Sequence, residues 1–384
     1  MSTRLSVVGL LALSLLVSLV GCGGGGGGSD SAVWQQKADD ASSALDQGCA
    51  AFDATMNSSG SMANAAAAAA ASLGASGATD VSVDEGSVTF KSHGIECSIV
   101  FGVEGRESEG LSSSTVAVQG STRALPSNKN ALVLNPDPWA YSQMPLRVRT
   151  TWERLGYSVD YYEGENANLE AFAKMSQYGA VFFTGHGNRG VLLTGQYVSD
   201  SEIDPQTLAL IEDGQVGIST HHAWSQDGQW GWKHKQYSIN AKFIGTQGGN
   251  YPGSLIIAYT CLTAADNQLA NSFATKGAQV YVAWDNKVTL TSGSSQAQAM
   301  VAFIDGLAQG KNVGDAVNAA GDSHLKFEPS TGSLANLTDT PQAIAVTSPG
   351  YDDIGATLES LGYQIQTLDT GNVASAADFD GIGV

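Results

Sequence analysis

Two residues of this chain have the chemistry of a nucleophile and its base, and each stands where an apolar run stops. AVFFTG runs into Gly185-His186-Gly187, and LIIAY runs into Thr260-Cys261. A thiolate is a strong nucleophile, and a nearby imidazole can lower the thiol pKa or protonate a leaving amine. Glycine at 187 lets the backbone approach a substrate, so the Gly187 and Cys261 N–H groups are candidates for an oxyanion hole. Each residue alone also has a plainer role: a histidine between glycines as a turn residue, a lone cysteine as a small hydrophobe. A phosphate-cradling loop is a poorer account of GHGNRG, because no G-K-[ST] follows and the dinucleotide fingerprint is missing.

The cysteine count sharpens the question. The chain of 384 residues has four cysteines. Met1 to Arg4 is a short basic start, Leu5 to Val20 is apolar, and Leu19-Val-Gly-Cys22 follows, which is the layout of a signal peptide (1–21) rather than a membrane span. LVGC resembles a bacterial lipobox, which implies cleavage before Cys22, acylation of that cysteine (palmitate among the acyl groups) and a lipid anchor. The alternative is an ordinary cleaved secretion signal with Cys22 incidental. Residues 22–30 form a glycine-rich tether. Glycine rather than aspartate at 23 resembles outer-membrane sorting in enteric bacteria, so the expected location is the cell envelope, anchored at the outer membrane. An oxidising compartment favours a Cys49–Cys97 disulfide and leaves Cys261 unpaired.

Composition narrows the partners. The chain is 42% hydrophobic with 46 glycines, and its formal net charge is −19 with 18 basic residues. That balance argues against nucleic acid and against charge-driven binding to anionic lipid. No cofactor is expected.

The chain then divides. Residues 31–105 read as helix, including the alanine-rich run from Ala63 to Ala71, followed by the alternating runs VSVDEGSVTF and IECSIVFG of a hairpin. Residues 106–130 are a Ser/Gly/Asn-rich linker containing Arg123 and Lys129. From Ala131 to about 325, strands ALVLN, YSVDYYE, AVFFTG, LIIAYTC and AQVYVAW alternate with helices. That alternation predicts a mostly parallel sheet covered on both faces, a three-layer α/β/α sandwich. In such a sheet the crevice at the carboxyl ends of the strands is where ligands bind, so His186 and Cys261 are expected to face one another there. Val191 to Gly253 reads as irregular. Residues 340–384 hold a partial second α/β unit: Thr357-Leu-Glu-Ser-Leu-Gly-Tyr363 echoes Thr151-Trp-Glu-Arg-Leu-Gly-Tyr157, and AIAVTSP echoes ALVLNP. Duplication and coincidence both account for that echo.

An apolar strand ending in His-Gly, then an apolar strand ending in a small residue and Cys, resembles the caspase-like cysteine peptidases: caspases, legumains, clostripain, gingipains, separases and CHAT domains. LANSFATKGAQVYVAWDNKV and AFIDGLAQGKNVGDAVNAA continue the gingipain and CHAT pattern. The resemblance covers roughly 131–320 and implies a caspase-hemoglobinase-like fold, a cysteine-type endopeptidase acting on peptide or protein substrates, His186 as base or acid, Cys261 as nucleophile and Gly187 as oxyanion donor. Thr260 departs from the Ala or Gly usual before the cysteine. In some of these families an acid on the next strand accepts a basic P1 side chain, which implies Asp285, with Trp284 beside it, as substrate-binding residues. A basic P1 would make Arg123 or Lys129 a self-cleavage site that releases the N-terminal region. His221, His222 and His234 lack a recognised metal-ligand spacing, and no metal is expected. Trp224, Trp230 and Trp232 are read as packing or substrate-rim residues. The alternative is a catalytically inactive caspase-like surface scaffold.

Overall fold

The computed structural model describes residues 27–328 except 85, 102–125, 127, 139, 142, 200–201, 225–229, 233, 248 and 290–293, together with the strands 342–347 and 364–369. The expected signal segment, Cys22 and Arg123 lie outside the described residues. Helices α1 (Gly27–Ser59) and α2 (Met62–Ala75) are the helical start, and Ser61 caps α2 by accepting the N–H of Asn64. Strands β1 (Thr79–Asp84), β2 (Ser87–Ser92) and β3 (Ile95–Val100) then pair antiparallel in sequence. The α/β alternation follows as β4 (Asn130–Asn135), α3 (Met144–Arg154), β5 (Ser158–Glu163), α4 (Leu169–Ala173) and β6 (Ala180–Thr184).

The segment expected to be irregular is structured. It contains β7 (Gly187–Asn188), β8 (Val191–Tyr197), α5 (Pro205–Glu212), β9 (Val216–Trp224), β10 (Trp230–Trp232), β11 (Gln236–Asn240) and α6 (Ala241–Thr246). The alternation resumes with β12 (Leu255–Tyr259), α7 (Gln268–Thr275), β13 (Val280–Trp284), α8 (Ser295–Ala308), α9 (Val313–Ala320) and β14 (Leu325–Glu328). Strands β15 (Gln342–Thr347) and β16 (Gln364–Asp369) pair in parallel with one another, as β4 and β5 do.

The central sheet has the order β14-β13-β12-β6-β4-β5, parallel throughout except for β14, which runs antiparallel on β13. Alternation along each strand decides what covers each face. Val133, Phe182, Ile257 and Val282 join Val148 and Trp152 of α3 and Met300 and Phe303 of α8 in one buried cluster. Leu132, Val181, Ile256 and Tyr281 join Phe172 of α4 and Phe273 of α7 in the other. Strands buried on both faces carry continuous apolar runs, which is why they are readable from the sequence. Each such buried side chain contributes about 1.5–3 kcal/mol. The protein is therefore α/β, compatible with a three-layer sandwich. On the α3/α8 face, Nη2 of Arg147 lies 2.8 Å from both carboxylate oxygens of Asp305 and ties the two helices together.

A second sheet, β1-β2-β3-β9-β11-β8-β7, extends from the N-terminal hairpin into the middle of the chain. Its joint is the parallel pairing of β3 with β9, Cys97 opposite Ile218 through Val100 opposite His221. The N-terminal region is thus part of one sheet with the middle segment rather than a separate appendage. Buried hydroxyls cross the joint: Ser98 Oγ lies 2.7 Å from Ser219 Oγ, which donates to Ser238 Oγ at 2.9 Å.

The expected Cys49–Cys97 disulfide is absent; both are free, buried thiols. Each packs in the apolar layer between the helices and the second sheet, as a small hydrophobe would. Burial pushes both thiols well above their ordinary pKa.

Candidate active site

In the central sheet the strand order reverses at β4 and β6: the chain lays β5 on one side of β4 and everything later on the other. The crevice beyond the carboxyl ends of those two strands is the place a ligand takes in an open α/β sheet. Asp137 follows β4 and His186 follows β6, so both line that switch point.

The glycines around His186 do two different jobs. Gly185 has φ of +150°, a backbone state that side chains rarely adopt, and its carbonyl accepts a 2.9 Å hydrogen bond from the Tyr141 hydroxyl. Gly187 is a matter of space: a Cβ there would lie 2.5 Å from Thr260 Oγ1 and 2.9 Å from Thr263 Cγ2. Thr260, the departure from the resembled families, therefore fills the room beside Gly187. Its hydroxyl oxygen is buried and has no hydrogen-bond partner among the described residues.

The imidazole of His186 is 2% exposed and its Nε2 lies 3.2 Å from Asp137 Oδ2. The other carboxylate oxygen, Oδ1, accepts the N–H of Ala140 at 3.4 Å, which fixes the carboxylate in the loop before α3. Over the same oxygen sits a second imidazole. His221 of β9 stacks on His186 with ring centroids 3.9 Å apart and rings inclined by 27°, and its Nε2 is 3.7 Å from Asp137 Oδ2. Burial alone would raise the Asp137 carboxyl, but hydrogen bonding and charge from both histidines more than offset it and hold the group ionised, below the usual carboxylate range. With Nε2 given to the carboxylate, His186 Nδ1 is buried and without a hydrogen-bond partner among the described residues.

Cys261 lies one strand over. Tyr259 of β12 is the register partner of Thr184 of β6, and Cys261 and His186 each follow two residues later. The thiol is 4% exposed, and its hydrogen bonds are with the Val288 backbone: Sγ accepts the Val288 N–H at 3.2 Å and lies 3.7 Å from the Val288 oxygen. Burial pushes the thiol above its ordinary pKa, with the Val288 hydrogen bond and Lys287 opposing. No hydrogen bond joins it to His186 among the described residues. The next residue, Leu262, has φ of +59°, a strained state for a non-glycine side chain, and strain of this kind clusters at functional sites.

The residues expected to bind substrate are otherwise engaged. Trp284 is fully buried, packs on Tyr259 and donates Nε1–H to Asp322 at 3.2 Å, so it belongs to the core. The Asp285 carboxylate is paired with His324 Nδ1 at 2.8 Å, in the turn before the antiparallel β14, and with Lys326 Nζ at 3.3 Å, on that strand. A basic P1 side chain would have to displace the imidazole and the ammonium already paired with this carboxylate. Lys129 is no better a cleavage site, since its ammonium is buried over the Tyr157 ring at 4.5 Å. Beyond His186, the Arg189 Nε pairs with Asp84 at 3.2 Å and ties the turn after β7 to β1.

Sequence reasoning missed Asp137, and it considered His221 only beside His222 and His234, as a metal-ligand set without a recognised spacing. His221 and His222 diverge on β9 because successive strand residues point to opposite faces. His222 meets Trp232 and lies 3.9 Å from Asp53, while His234 packs on Tyr197. Comparison with known proteins finds no family model that matches the chain and no similar curated protein.

Proposed function

We propose that the chain is a cysteine endopeptidase of the caspase-like kind, with Cys261 as nucleophile, His186 as general base and acid, and Asp137 as the residue that positions His186. One observation carries this: His186 and Cys261 stand two residues beyond register partners on adjacent parallel strands, at the carboxyl edge beside the switch point. The tautomer agrees with it. A carboxylate at Nε2 favours the proton on that nitrogen and leaves the Nδ1 lone pair to accept one. In the proposed cycle the Cys261 thiol leaves Val288 and gives its proton to Nδ1, and sulfur bonds to the scissile carbonyl carbon. The tetrahedral oxyanion collapses, the C–N bond breaks, and the amine departs with the proton from His186. Water, deprotonated by the same nitrogen, then hydrolyses the thioester. Asp137 stabilises the imidazolium formed in each half-reaction.

A catalytically inactive scaffold of the same fold has one observation in its favour, the burial of Cys261 in a hydrogen-bonded exchange with Val288. Envelope attachment through acylated Cys22 is proposed on the N-terminal sequence alone. Incubating wild type and Cys261→Ala with a fluorogenic peptide library separates enzyme from scaffold. Turnover that vanishes in the variant supports the peptidase; no turnover in either overturns it.

A further inference from the structure

We infer that Asp137, His186 and His221 form a three-ligand site for one divalent transition-metal ion of the zinc class, and that an ion there silences the base. Two imidazoles and one carboxylate are a donor set that zinc and cobalt accept, with a fourth position left for water. One donor atom from each residue lies within 4.8 Å of the other two. The Nε2–Oδ2 separations of 3.2 and 3.7 Å bracket the edge of about 3.4 Å expected between ligands of a tetrahedral ion at 2.0–2.2 Å.

Placement adds to donor type. The three residues come from the ends of β4 and β6 and from the second sheet's β9, elements held by sheet pairing on both sides. Both histidines are nearly fully buried, while the Asp137 side chain is 16% exposed and gives the ion a route from solvent. Two buried imidazoles approach a single carboxylate oxygen, at 3.2 and 3.7 Å. A cation between the three would accept a lone pair from each.

The regulatory half rests on the peptidase proposal. Metal at His186 Nε2 displaces the proton from that nitrogen and leaves it on Nδ1, the nitrogen proposed to accept the Cys261 proton. Occupancy and base catalysis are therefore mutually exclusive, with no change in the fold required.

The test uses the full chain, stripped with a chelator and titrated with Co2+ at neutral pH while d–d absorption is followed. One equivalent is expected, with Cys261→Ala binding equally and no thiolate-to-cobalt charge-transfer band in the near ultraviolet. His221→Ala and the bulkier His221→Gln should each weaken binding by on the order of 100-fold while keeping the wild-type circular dichroism. Failure to bind one equivalent, or binding unchanged in a folded His221 variant, overturns the site. Cys261 alkylation by iodoacetamide is measured separately in the metal-free protein. Cobalt binding with an inert Cys261 leaves the site standing while removing the peptidase. A reactive Cys261 that stoichiometric Zn2+ does not slow, or whose slowing EDTA does not reverse, overturns the regulatory half.

Discussion

At the scale of single residues, the polar atoms around His186 form a chain of dependence. Asp137 holds one imidazole nitrogen, and the other has no hydrogen-bond partner among the described residues. Asp137→Asn keeps the shape but can donate to Nε2 and so reverse the tautomer. It is expected to lower kcat by about 10²–10⁴-fold, with KM little changed and the acidic limb of the pH–rate profile moved. An unaltered kcat would show that Asp137 positions nothing. Gly187→Ala tests the other neighbour. The added methyl meets Thr260 Oγ1, and about 1–3 kcal/mol of stability should be lost. Thr260→Ala in the same chain should restore part of it, read as a non-additive double-mutant cycle in urea unfolding.

At the scale of elements, burial explains both what is legible in the sequence and what is hidden. ALVLN, AVFFT, LIIAY and VYVAW stand out because their strands are covered on both faces. The second sheet is hidden because VGISTHHAW and QYSIN interrupt the apolar pattern with polar residues, among them buried serines that satisfy one another only after β3, β9 and β11 have met. Asp137 could be suspected only from strand order, since a residue after β4 matters once β4 and β6 flank the switch point. His221 is visible only as half of a histidine pair, and nothing local links it to Asp137 and His186. Two predictions belong here. With Cys49 and Cys97 free, a reducing agent should leave the melting temperature unchanged, and thiol titration in denaturant should count both. A melting temperature that falls on reduction would contradict the thiol state. Asp204 caps α5 by accepting the Thr207 N–H. Burial would raise its carboxyl, but bonds from Thr207 and Gln206 outweigh it and lower the pKa. The cap's stabilisation is therefore full above the unfolded value of about 3.9 and is lost as pH falls through the folded one. Asp204→Ala should cost about 1 kcal/mol at pH 7 and less at pH 3, by urea unfolding at both.

At the scale of the whole molecule, two sheets share the work: the central sheet carries Asp137, His186 and Cys261, and the second sheet carries His221. The parallel joint between β3 and β9 binds the N-terminal region to the rest, so a cut between residues 105 and 126 cannot free it without exposing the edge of β9. A chain cut at an engineered site there should elute as one species in native gel filtration and as two fragments in denaturant. Separate native elution would show that the joint is weak. The Arg147–Asp305 pair makes a similar point for the other face. Asp305→Ala removes the carboxylate paired with a buried guanidinium and is expected to cost about 3–5 kcal/mol. The central claim is that Cys261 is a nucleophile served by His186, although its thiol rests against Val288. The most direct measurement is labelling of the metal-free full chain with a peptidyl acyloxymethyl ketone, followed by mass-spectrometric mapping. The account predicts a single adduct on Cys261, formed at least tenfold more slowly in His186→Ala. An unlabelled Cys261, or labelling at the same rate without His186, would contradict it.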